Sequence, residues 1–574
     1  MTPKYTQYRK GAMPEKTENV LWPLYGAGLE NLGKEDQPIS VAMPEFGPDE
    51  LLVRHDACGL CFSDIKVIRQ GEAHPRIYRN MQEDPVVLGH EVSLTVVGVG
   101  ENLRGQYSPG DRFILQADIF VNGVGYAYGY EIQGGLSQYT VIDQRVLNGD
   151  HGNYLIPIRP ETGYAESALV EPWACVIAAY YLQYRNQLKD SGIAWFIGPD
   201  EGEYSLTNGF DQESHPAKIY LTNMTGSFGS WLRKQADMLG IPVVEVAEIV
   251  AVEGEASLEN QVDDIILLSP TAELVETVSP YLAYHGVLAI SARQAFTRKA
   301  KIDIGRVHYN RWLYLGGQTG DLDQIYAQAP QRTELKKGGR SLFVGAGGPM
   351  GRMHVQHAIE SKDHPGLIVC SDASDLRLKD LDETFAEEAR AKGIEWLCVN
   401  PMNKEDYEKV MQPFQAEGFD DIIMLVPISA VIADSTPWLA KDGVMNVFAG
   451  VARGTTAELD LNALTNRNAR VIGHSASQIE DMLTMLNKVE EGELSTNRSV
   501  AAVGSLAAAK DGMKALIDAV YPGKVVIFPN IKPLPLTSVL DLGEILPEVA
   551  AKLKDGRIWT KEAEEAFLEA MLED

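Results

Sequence analysis

Residues 262–270 read VDDIILLSP and residues 419–427 read FDDIIMLVP, so one short pattern occurs twice at a spacing of 157 residues. At the same spacing, SPYLAYHGVLAI (279–290) matches TPWLAKDGVMNV (436–447), and no gap is needed between the two matches. Each copy alternates apolar strands with helical stretches, which is typical of βαβ units on a parallel sheet. Since chance similarities rarely keep the same spacing over several segments, we interpret the repeat as a duplication.

The second copy opens with GGRSLFVGAGGPMGRMHVQHAIE (338–360), in which a strand ends at Val344 and a glycine-rich turn leads into a helix. A dinucleotide places its pyrophosphate against backbone N–H groups at such a helix start, where side chains would hold it off. A glycine pattern alone is equally consistent with a tight turn that binds nothing. Here the next strand, LIVCSD, ends in Asp372, 21 residues after Gly351, where an acid that binds the adenosine ribose is expected.

The second copy is therefore predicted to be a Rossmann-type domain that binds NAD. Asp372 would repel the 2′-phosphate of NADP, although Ser371 and Arg377 keep NADP as the alternative. The predicted coenzyme-binding residues are Gly345, Gly347, Gly348, Pro349, Met350, Gly351, Asp372 and Arg377.

The first copy opens differently, with WFIGPDEGEYS (195–205). Asp200, Glu201 and Glu203 put charge where the second copy has a glycine-rich turn, and the next strand ends in Asn223 instead of an acid. We predict that this copy kept the Rossmann-type fold and lost the nucleotide site. The alternative is that it binds another ligand and regulates the protein.

The first 190 residues contain a possible metal site. VRHDACGLCFSDIKVIRQG holds Cys58 and Cys61, VVLGHEVSLTVVGVG holds His90 and Glu91, and ALVEPWACV holds Glu171. The CGLC pair alone could be half of a zinc knuckle or a redox pair, and a lone histidine is more often structural. Taken together, one cysteine, one histidine and one or two glutamates suit a catalytic zinc with an open position.

The order GLCFSD, GHE, GDRF, GGLSQY, EP and then a glycine-rich Rossmann turn resembles the zinc-dependent medium-chain dehydrogenase/reductase family, especially its sorbitol, threonine and sugar-phosphate dehydrogenase branch. The resemblance implies an N-terminal GroES-like β-rich catalytic domain. It also implies zinc ligands at Cys61, His90 and Glu91, with Glu171 completing or exchanging in the zinc shell. Taken singly, each of these residues has an ordinary structural explanation.

The resemblance also implies roles for the helix that follows Cys61. Ser63 matches a hydroxyl that passes the alcohol proton towards solvent, and Asp64 matches a carboxylate that orients the metal-binding histidine. A helix cap and a first-turn acid are the structural alternatives for these two residues. Lys66 stands where many relatives have the histidine that ends the proton relay. Either the relay ends differently here, or Lys66 binds an anionic substrate, unless it is simply a solvated lysine.

No cysteine occurs between Gly105 and Gly135, so the four-cysteine structural-zinc lobe of many relatives is not expected and we predict one zinc per chain. The 574 residues carry 51 basic and 80 acidic side chains, a net charge of −29 that argues against nucleic-acid and anionic-membrane partners. Five cysteines argue against a disulfide framework. We find neither a signal peptide nor a spanning apolar run, which favours a cytoplasmic enzyme.

The predicted fold is α/β, with a GroES-like domain followed by two Rossmann-type doubly wound parallel-sheet domains. The predicted ranges are 1–188 (catalytic), 189–333 (first Rossmann copy), 334–528 (second copy) and 529–574 (a helical tail on the body). Within one chain the two copies are expected to pair as an internal pseudo-dimer, and homo-oligomers are also compatible with the sequence. The predicted function is hydride transfer between a nicotinamide and a polyol, sugar or sugar phosphate; a non-redox zinc enzyme or a ligand sensor is the alternative.

Overall fold

The computed structural model describes residues 4–181, 184–247, 249, 261–328 and 333–573. The chain divides into two compact units, each with its own sheet. Unit 1 comprises Met1–Ile177 together with Ser477–Asp574, and unit 2 comprises Ala178–Ala476. The predicted α/β class is confirmed.

The strands, in chain order, are β1 (Glu18–Leu21), β2 (Pro23–Leu24), β3 (Ile39–Ala42), β4 (Leu51–Gly59), β5 (Val86–Val87), β6 (Glu91–Val99), β7 (Arg112–Leu115), β8 (Phe120–Val121), β9 (Val124–Gly125), β10 (Tyr139–Ile142), β11 (Leu155–Pro157), β12 (Ile193–Ile197), β13 (Lys218–Thr222), β14 (Val243–Glu245), β15 (Val262–Leu268), β16 (Leu282–Ser291), β17 (Ala300–Asp303), β18 (Leu313–Gly317), β19 (Arg340–Val344), β20 (Leu367–Ser371), β21 (Glu395–Val399), β22 (Phe419–Met424), β23 (Leu439–Val447), β24 (Thr456–Leu459), β25 (Arg470–Gly473), β26 (Val500–Ser505), β27 (Lys524–Phe528) and β28 (Thr537–Ser538).

The α-helices are α1 (Lys4–Tyr8), α2 (Phe62–Gln70), α3 (Gln144–Leu147), α4 (Tyr164–Ala168), α5 (Val170–Tyr181), α6 (Ser227–Leu239), α7 (Ala272–Val278), α8 (Ile304–Tyr309), α9 (Leu322–Gln328), α10 (Pro349–Glu360), α11 (Asp375–Ala391), α12 (Lys404–Met411), α13 (Ser429–Ser435), α14 (Asn462–Arg467), α15 (Ile479–Glu490), α16 (Ala509–Ile517), α17 (Leu542–Ile545), α18 (Pro547–Ala550) and α19 (Lys561–Met571).

Unit 1 is built on an eight-stranded sheet in the order β11-β7-β6-β4-β27-β26-β28, with β10 also paired to β4. Every residue of β4 is buried, which explains its long mainly apolar sequence. Gly59, at the end of β4, lies opposite Glu91 on one side and Val526 on the other. The end of β4 and the starts of β6 and β27 therefore lie side by side in the sheet.

The predicted boundary at residue 528 differs from the end of unit 2 at Ala476. Strands β26 and β27 belong to the sheet of unit 1, because β27 pairs with β4. A short apolar strand looks the same in sequence whichever sheet it joins, so the pattern could not assign it. The remaining predicted ranges stay predictions, and they run through positions 182–183, 248, 250–260 and 329–332, which lie outside the described residues.

Unit 2 contains one twelve-stranded sheet in the order β14-β13-β12-β15-β16-β18-β25-β23-β22-β19-β20-β21. We call β12–β16 with β18 the first half, and β19–β23 with β25 the second half. Counted along the chain from its own first strand, each half has the order 3-2-1-4-5-6 with parallel pairs, which is the order of dinucleotide-binding sheets. The two predicted copies thus share one sheet.

The halves meet at an antiparallel joint. Tyr314 of β18 pairs with Val471 of β25, and these two residues are 157 positions apart, the spacing of the sequence repeat. Beside the sheet, β17 pairs antiparallel with β24, where Lys301 faces Glu458 at the same spacing of 157. Each of these residues pairs with its own counterpart, as at the centre of an isologous two-fold interface.

The repeated Asp-Asp pair has the same structural role in each half. Lys189 Nζ lies 2.5 Å from Asp263 Oδ1, and Lys336 Nζ lies 2.6 Å from Asp420 Oδ1. The other oxygen of each aspartate accepts a main-chain N–H at 2.9 Å from the first residue of β12 or of β19. The pair therefore anchors the start of the first strand in both halves, at the edge opposite to the glycine-rich turn.

The two halves differ directly after that first strand. LKDSGIAWFIG (188–198) matches LKKGGRSLFVG (335–345) at a spacing of 147, whereas the later repeat has a spacing of 157, so the second half contains ten more residues in between. In the second half α10 lies between β19 and β20. Residues 198–217, all of them described, contain no helix. The first half therefore lacks the helix, not merely the glycines, of a nucleotide site.

Candidate metal and coenzyme sites

Three predicted metal ligands come together in unit 1. One ligand atom from each of Cys61, His90 and Glu91 lies within 4.8 Å of the other two. Cys61 follows β4 and precedes α2, while His90 and Glu91 lie at the start of β6. Because the end of β4 faces the start of β6, the sheet register brings these residues together.

Asp64 connects two of these residues. It is fully buried, and its Oδ1 lies 3.1 Å from His90 Nδ1 while its Oδ2 accepts a hydrogen bond from the Cys61 backbone N–H at 3.1 Å. The Gly89 N–H also donates to Oδ1, at 3.3 Å. Since a carboxylate accepts, Nδ1 of His90 carries the proton and Nε2 is the nitrogen left to bind a cation.

Sequence reasoning missed Lys524, the first residue of β27. Its Nζ lies 2.5 Å from Glu91 Oε1 and donates to the Leu60 carbonyl oxygen at 2.8 Å. Burial lowers the pKa of Lys524, but Glu91 and Cys61 outweigh this effect and raise it to about 12. A lysine at the start of an otherwise apolar, fully buried strand, KVVIF, was the signal available in the sequence.

The residues present suit a zinc ion. Glu91 Oε2 is buried and has no hydrogen-bond partner in the described part of the chain, so one carboxylate oxygen is left to bind a cation. Burial lowers the pKa of His90, yet Asp64 and Cys61 raise it well above its usual value, which shows a negative local field. One sulfur, one nitrogen and one oxygen donor form a set with an open fourth position.

Glu171, the second residue of α5, lies outside the group of three ligands. Loss of hydration raises the pKa of its carboxyl to about 7; the positive charge of His90 lowers this pKa and the negative charge of Glu91 raises it. These interactions make Glu171 an electrostatic neighbour of the group. Its predicted place in the zinc shell stays a prediction.

Ser63 and Lys66 lie on α2, which begins directly after Cys61, and both are half-buried. Their predicted roles in proton transfer and anion binding stay predictions. Cys58 is fully buried in β4, next to the backbone of Gly89 and Gly135, and burial raises the pKa of its thiol. It is part of the core, and both cysteines of CGLC are free thiols.

The glycine-rich turn in unit 2 has the predicted strand–turn–helix geometry. Gly345 follows β19 with φ +88°, and a Cβ at Gly351 would lie 2.4 Å from the Gly345 carbonyl oxygen. A Cβ at Gly347 would lie 2.5 Å from the Cβ of Arg377, which is on α11. These positions need glycine because the backbone packs tightly there. At Gly348 the nearest atom to an added Cβ is 3.9 Å away, so a Cβ would fit there without a clash.

Asp372 follows β20 and lies beside this turn. Its Oδ2 accepts a hydrogen bond from the Gly347 N–H at 2.9 Å, and its Oδ1 accepts one from the Ser374 N–H at 3.0 Å. Pro349 and Met350 are the first two residues of α10. The predicted coenzyme-binding residues therefore gather at the carboxyl ends of β19 and β20, the edge at which such sheets bind ligands.

In the first half, the equivalent position is occupied by the chain itself. Asp200 is buried, and its carboxylate accepts hydrogen bonds from the N–H groups of Gly226 and Gly229 at the start of α6, each at 2.7 Å. Further along the loop, Ser205 exchanges backbone hydrogen bonds with the segment after β18, at Gly320 and Leu322. The loop therefore runs across the carboxyl edge of the first half, and Asp200 caps a helix.

No helix among the described residues is long and apolar enough to cross a membrane.

Comparisons with known proteins support a GroES-like domain in unit 1. Residues 47–148 match the family model of the alcohol dehydrogenase GroES-like domain, which lies inside the predicted catalytic domain. The chain is 22% identical to mannitol-1-phosphate 5-dehydrogenase of Aliivibrio fischeri (strain ATCC 700601 / ES114), covering 93% of this chain and 95% of that protein. It is also 22% identical to L-sorbose 1-phosphate reductase of Klebsiella pneumoniae, covering 95% and 98%.

Among solved structures, 2R,3R-butanediol dehydrogenase from Bacillus subtilis superimposes with a TM-score of 0.51 at 15% identity, covering 89% of this chain and 100% of that one. At this identity the likeness concerns the fold. Together, the domain match and the relatives support the zinc-type medium-chain dehydrogenase/reductase family.

Proposed function

We propose that this protein is a zinc- and NAD-dependent dehydrogenase that interconverts a secondary alcohol and a ketone on a polyol, sugar or sugar phosphate. The observation that carries the proposal is the meeting of Cys61, His90 and Glu91 within 4.8 Å. The names of the relatives, one a sugar-alcohol phosphate dehydrogenase and one a sugar-phosphate reductase, support the reaction class.

When bound, zinc would supply Lewis acidity towards the substrate oxygen, and the nicotinamide would supply the hydride acceptor. The chain holds this chemistry in place. Asp64 fixes the ring of His90 through Nδ1, and Lys524 occupies one oxygen of Glu91, so that the other oxygen faces the metal position. The Ser63 hydroxyl receives the alcohol proton and passes it towards solvent. Glu171 joins or exchanges in the ligand set.

We assign the coenzyme to the second half of unit 2. The carboxylate of Asp372 beside the glycine-rich turn favours ribose hydroxyls over a 2′-phosphate, and therefore NAD over NADP. The first half is a duplicated Rossmann copy that has lost its coenzyme and now takes the position of a second subunit. Its support is the matching strand order and the pairing of Tyr314 with its own counterpart at the joint.

Lys66 is assigned to the phosphate of the substrate. It lies on α2, one turn beyond Ser63, and a lysine there offers a point charge to a phosphate group. A sugar phosphate is therefore preferred to an uncharged polyol. We expect Lys66→Ala to raise KM for sugar-alcohol phosphates and to leave KM for uncharged polyols and kcat for both nearly unchanged.

The proposal is tested by the full-length protein with NAD and panels of polyols and sugar-alcohol phosphates, followed by nicotinamide absorbance and by metal analysis of the same preparation. We expect turnover and one zinc ion per chain. Cys61→Ala is expected to lose both the metal and turnover, because the thiolate is one of three protein ligands. Cys58→Ala is the matched control, since it removes a core thiol three residues away and should keep both.

Zinc that stays bound in Cys61→Ala would contradict the assigned metal site. Zinc and NADH binding without turnover on any member of either panel would favour the alternative, a sensor or a non-redox zinc enzyme.

A further inference from the structure

The carboxyl edge of the second half can be divided into two sides. Asp372 follows β20, on one side of the turn after β19, and under the proposed function it binds the adenosine ribose. A dinucleotide crosses the crevice where the strand order reverses, so its other half runs towards the ends of β22, β23 and β25. The loops after β23 and β25 therefore shape the nicotinamide side. The inference below rests on this part of the proposed function.

One segment of the first half contacts both of these loops. We call residues 303–311, which include α8, the joint segment. His308 Nδ1 lies 3.1 Å from the carbonyl oxygen of Val447, the last residue of β23, so this nitrogen donates. Arg311 donates from its guanidinium to the carbonyl oxygen of Ser475, two residues after β25, at 2.9 Å.

The joint segment also binds the loop after β23 at positions farther along that loop, Gly454 and Thr455. Asp303 Oδ2 accepts a hydrogen bond from the Gly454 N–H at 2.9 Å, and the Ile304 N–H donates to the Thr455 carbonyl oxygen at 3.0 Å. At Gly305 an added Cβ would lie 2.3 Å from a carbonyl oxygen of the same loop. The loop thus lies directly against the first half, fixed by side-chain and main-chain contacts.

The same region contains buried polar side chains. Asn446 Oδ1, on β23, is buried and lacks a hydrogen-bond partner among the described residues, and the imidazole of His474, directly after β25, is fully buried beside these strand ends. Their counterparts 157 positions earlier are Ala289 and Gly317, which carry no polar side chain. Since buried polar groups are normally satisfied, the unsatisfied oxygen of Asn446 indicates a place for a ligand or water near these strand ends.

The joint is not symmetric in chemistry. The counterparts of His308 and Arg311 are Thr465 and Asn468. Thr465 donates to a carbonyl oxygen of its own helix at 3.3 Å, and Asn468 donates to Asp442 of its own half at 2.7 Å. The second half also binds the first, through two hydrogen bonds between the Asn462 side chain and the main chain of Phe296. In addition, Arg453 donates to Asn310 Oδ1 at 3.1 Å, and Asn466 Oδ1 accepts a hydrogen bond from Gln318 at 2.8 Å. The His308 imidazole and the Arg311 guanidinium, however, both bind the second half, which contains the glycine-rich turn.

We propose that the joint segment is a positioning element of the coenzyme site: His308 and Arg311 of the nucleotide-free half hold the loops after β23 and β25 in the arrangement that binds the nicotinamide side. The first half then serves the reaction without touching the reacting atoms.

The test compares NADH with ADP-ribose, which lacks the nicotinamide, as ligands of the full-length protein in titration calorimetry. Arg311→Ala and His308→Ala are expected to raise the Kd of NADH about tenfold, the loss associated with one charged or buried hydrogen bond. The Kd of ADP-ribose should change less than about twofold, because the contacts with adenosine and pyrophosphate are distant from these loops. Arg311→Lys should restore part of the NADH affinity, since it keeps a donor for Ser475.

The pseudo-symmetry offers matched controls, Asn468→Ala and Thr465→Ala, which should leave both Kd values unchanged. Arg311 and Asn468 have nearly the same left-handed φ, +53° and +51°, so alanine meets a similar backbone cost at both positions. An unchanged NADH Kd in Arg311→Ala and His308→Ala would overturn the inference, and so would a parallel loss of ADP-ribose binding, which indicates general damage. Wild-type protein that binds no NADH would instead refute the proposed function.

Discussion

The two halves of the unit 2 sheet have the same strand order and the same anchoring aspartates, yet only the second half has the geometry of a coenzyme site. The shared features, such as Asp263 and Asp420, lie at the starts of β15 and β22, at the amino edge, where they bind the start of the first strand of each half. The differences, such as Asp200 against Gly347, lie at the carboxyl edge. The features that the two halves share and the features in which they differ therefore lie at opposite edges of the same sheet.

The loop after β12 has a structural role in the first half. A helix start needs acceptors for its N–H groups, and Asp200 of this loop supplies them at the start of α6. The acids of GPDEGEYS thus have different roles. Asp200 is buried and structural, whereas Glu201 and Glu203 are exposed. The main-chain carbonyl oxygen of Glu203 accepts a hydrogen bond from Arg293.

The largest effect is expected from transferring the first half's residue into the second. Glu201 is the counterpart of Gly348 at the spacing of 147. Because a Cβ at Gly348 meets no clash, Gly348→Glu should fold normally while its carboxylate repels the pyrophosphate, and the Kd of NADH should rise more than about a hundredfold. Fluorescence titration measures this change, with the melting temperature as a check on folding. Gly348→Ala, which adds only a methyl group, should change the Kd much less; equal losses in both variants would contradict the electrostatic explanation.

The next effect concerns stability. Asp200→Ala removes the acceptor of the Gly226 and Gly229 N–H groups at the start of α6, of which that of Gly229 is buried, and should lower the free energy of unfolding by about 2 kcal/mol. Urea denaturation measures this loss, and the Kd of NADH should stay at the wild-type value. Glu201→Ala, on the same loop but exposed, serves as the control. If Asp200→Ala instead abolished NADH binding at unchanged stability, the first half would have to be regarded as a ligand site.

Asp372→Asn removes a negative charge from the second half, whereas Gly348→Glu adds one. Loss of the charge should weaken NADH binding about tenfold and narrow the preference for NADH over NADPH, because the ribose hydroxyls lose a charged acceptor. Stability should fall less than in Asp200→Ala, since asparagine keeps an oxygen for the Gly347 N–H. Parallel titrations with NADH and NADPH give both values. A variant that binds both coenzymes like the wild type would remove Asp372 from the coenzyme site.

The smallest effects are expected at the shared anchors. Burial raises the pKa of Asp420, but Lys336 and the Arg340 N–H outweigh it, so the pKa is lowered overall. A carboxyl with a lowered folded-state pKa stabilises the fold above its ordinary pKa and loses this contribution as the pH falls through the folded-state value. Asp420→Asn should therefore cost about 1 kcal/mol at neutral pH, and the difference from wild type should shrink as the pH falls below the ordinary pKa of an aspartate, about 3.9.

Asp263→Asn removes the same contacts in the first half and should cost about the same, about 1 kcal/mol. Urea denaturation of both variants across the pH range sharpens the comparison. A clearly larger loss in one half would show that the two anchors are no longer equivalent.

A feature could be predicted from the sequence when the residues that form it lie close together along the chain. The glycine-rich turn is a short motif whose geometry is set by neighbouring residues, and Asp372 lies beside it at the end of the adjacent strand. Cys61 and His90 are farther apart in sequence, but the pairing of β4 with β6 places them close together. Lys524 could not be placed, because its partner Glu91 is 433 positions away and depends on β27 joining the sheet of unit 1. The capping role of Asp200 and the contacts of His308 depend on long-range packing in the same way.

The contact between Tyr314 and Val471 differs from the contact in a homodimer in two ways: how it responds to dilution, and how substitutions affect its two sides. In a homodimer, such a contact is lost on dilution, and every substitution at it appears twice. Here both sides belong to one chain, so their effective concentration is independent of how much protein is present, and each side can change alone. One chain can therefore carry histidine and arginine on one side of this contact and threonine and asparagine on the other.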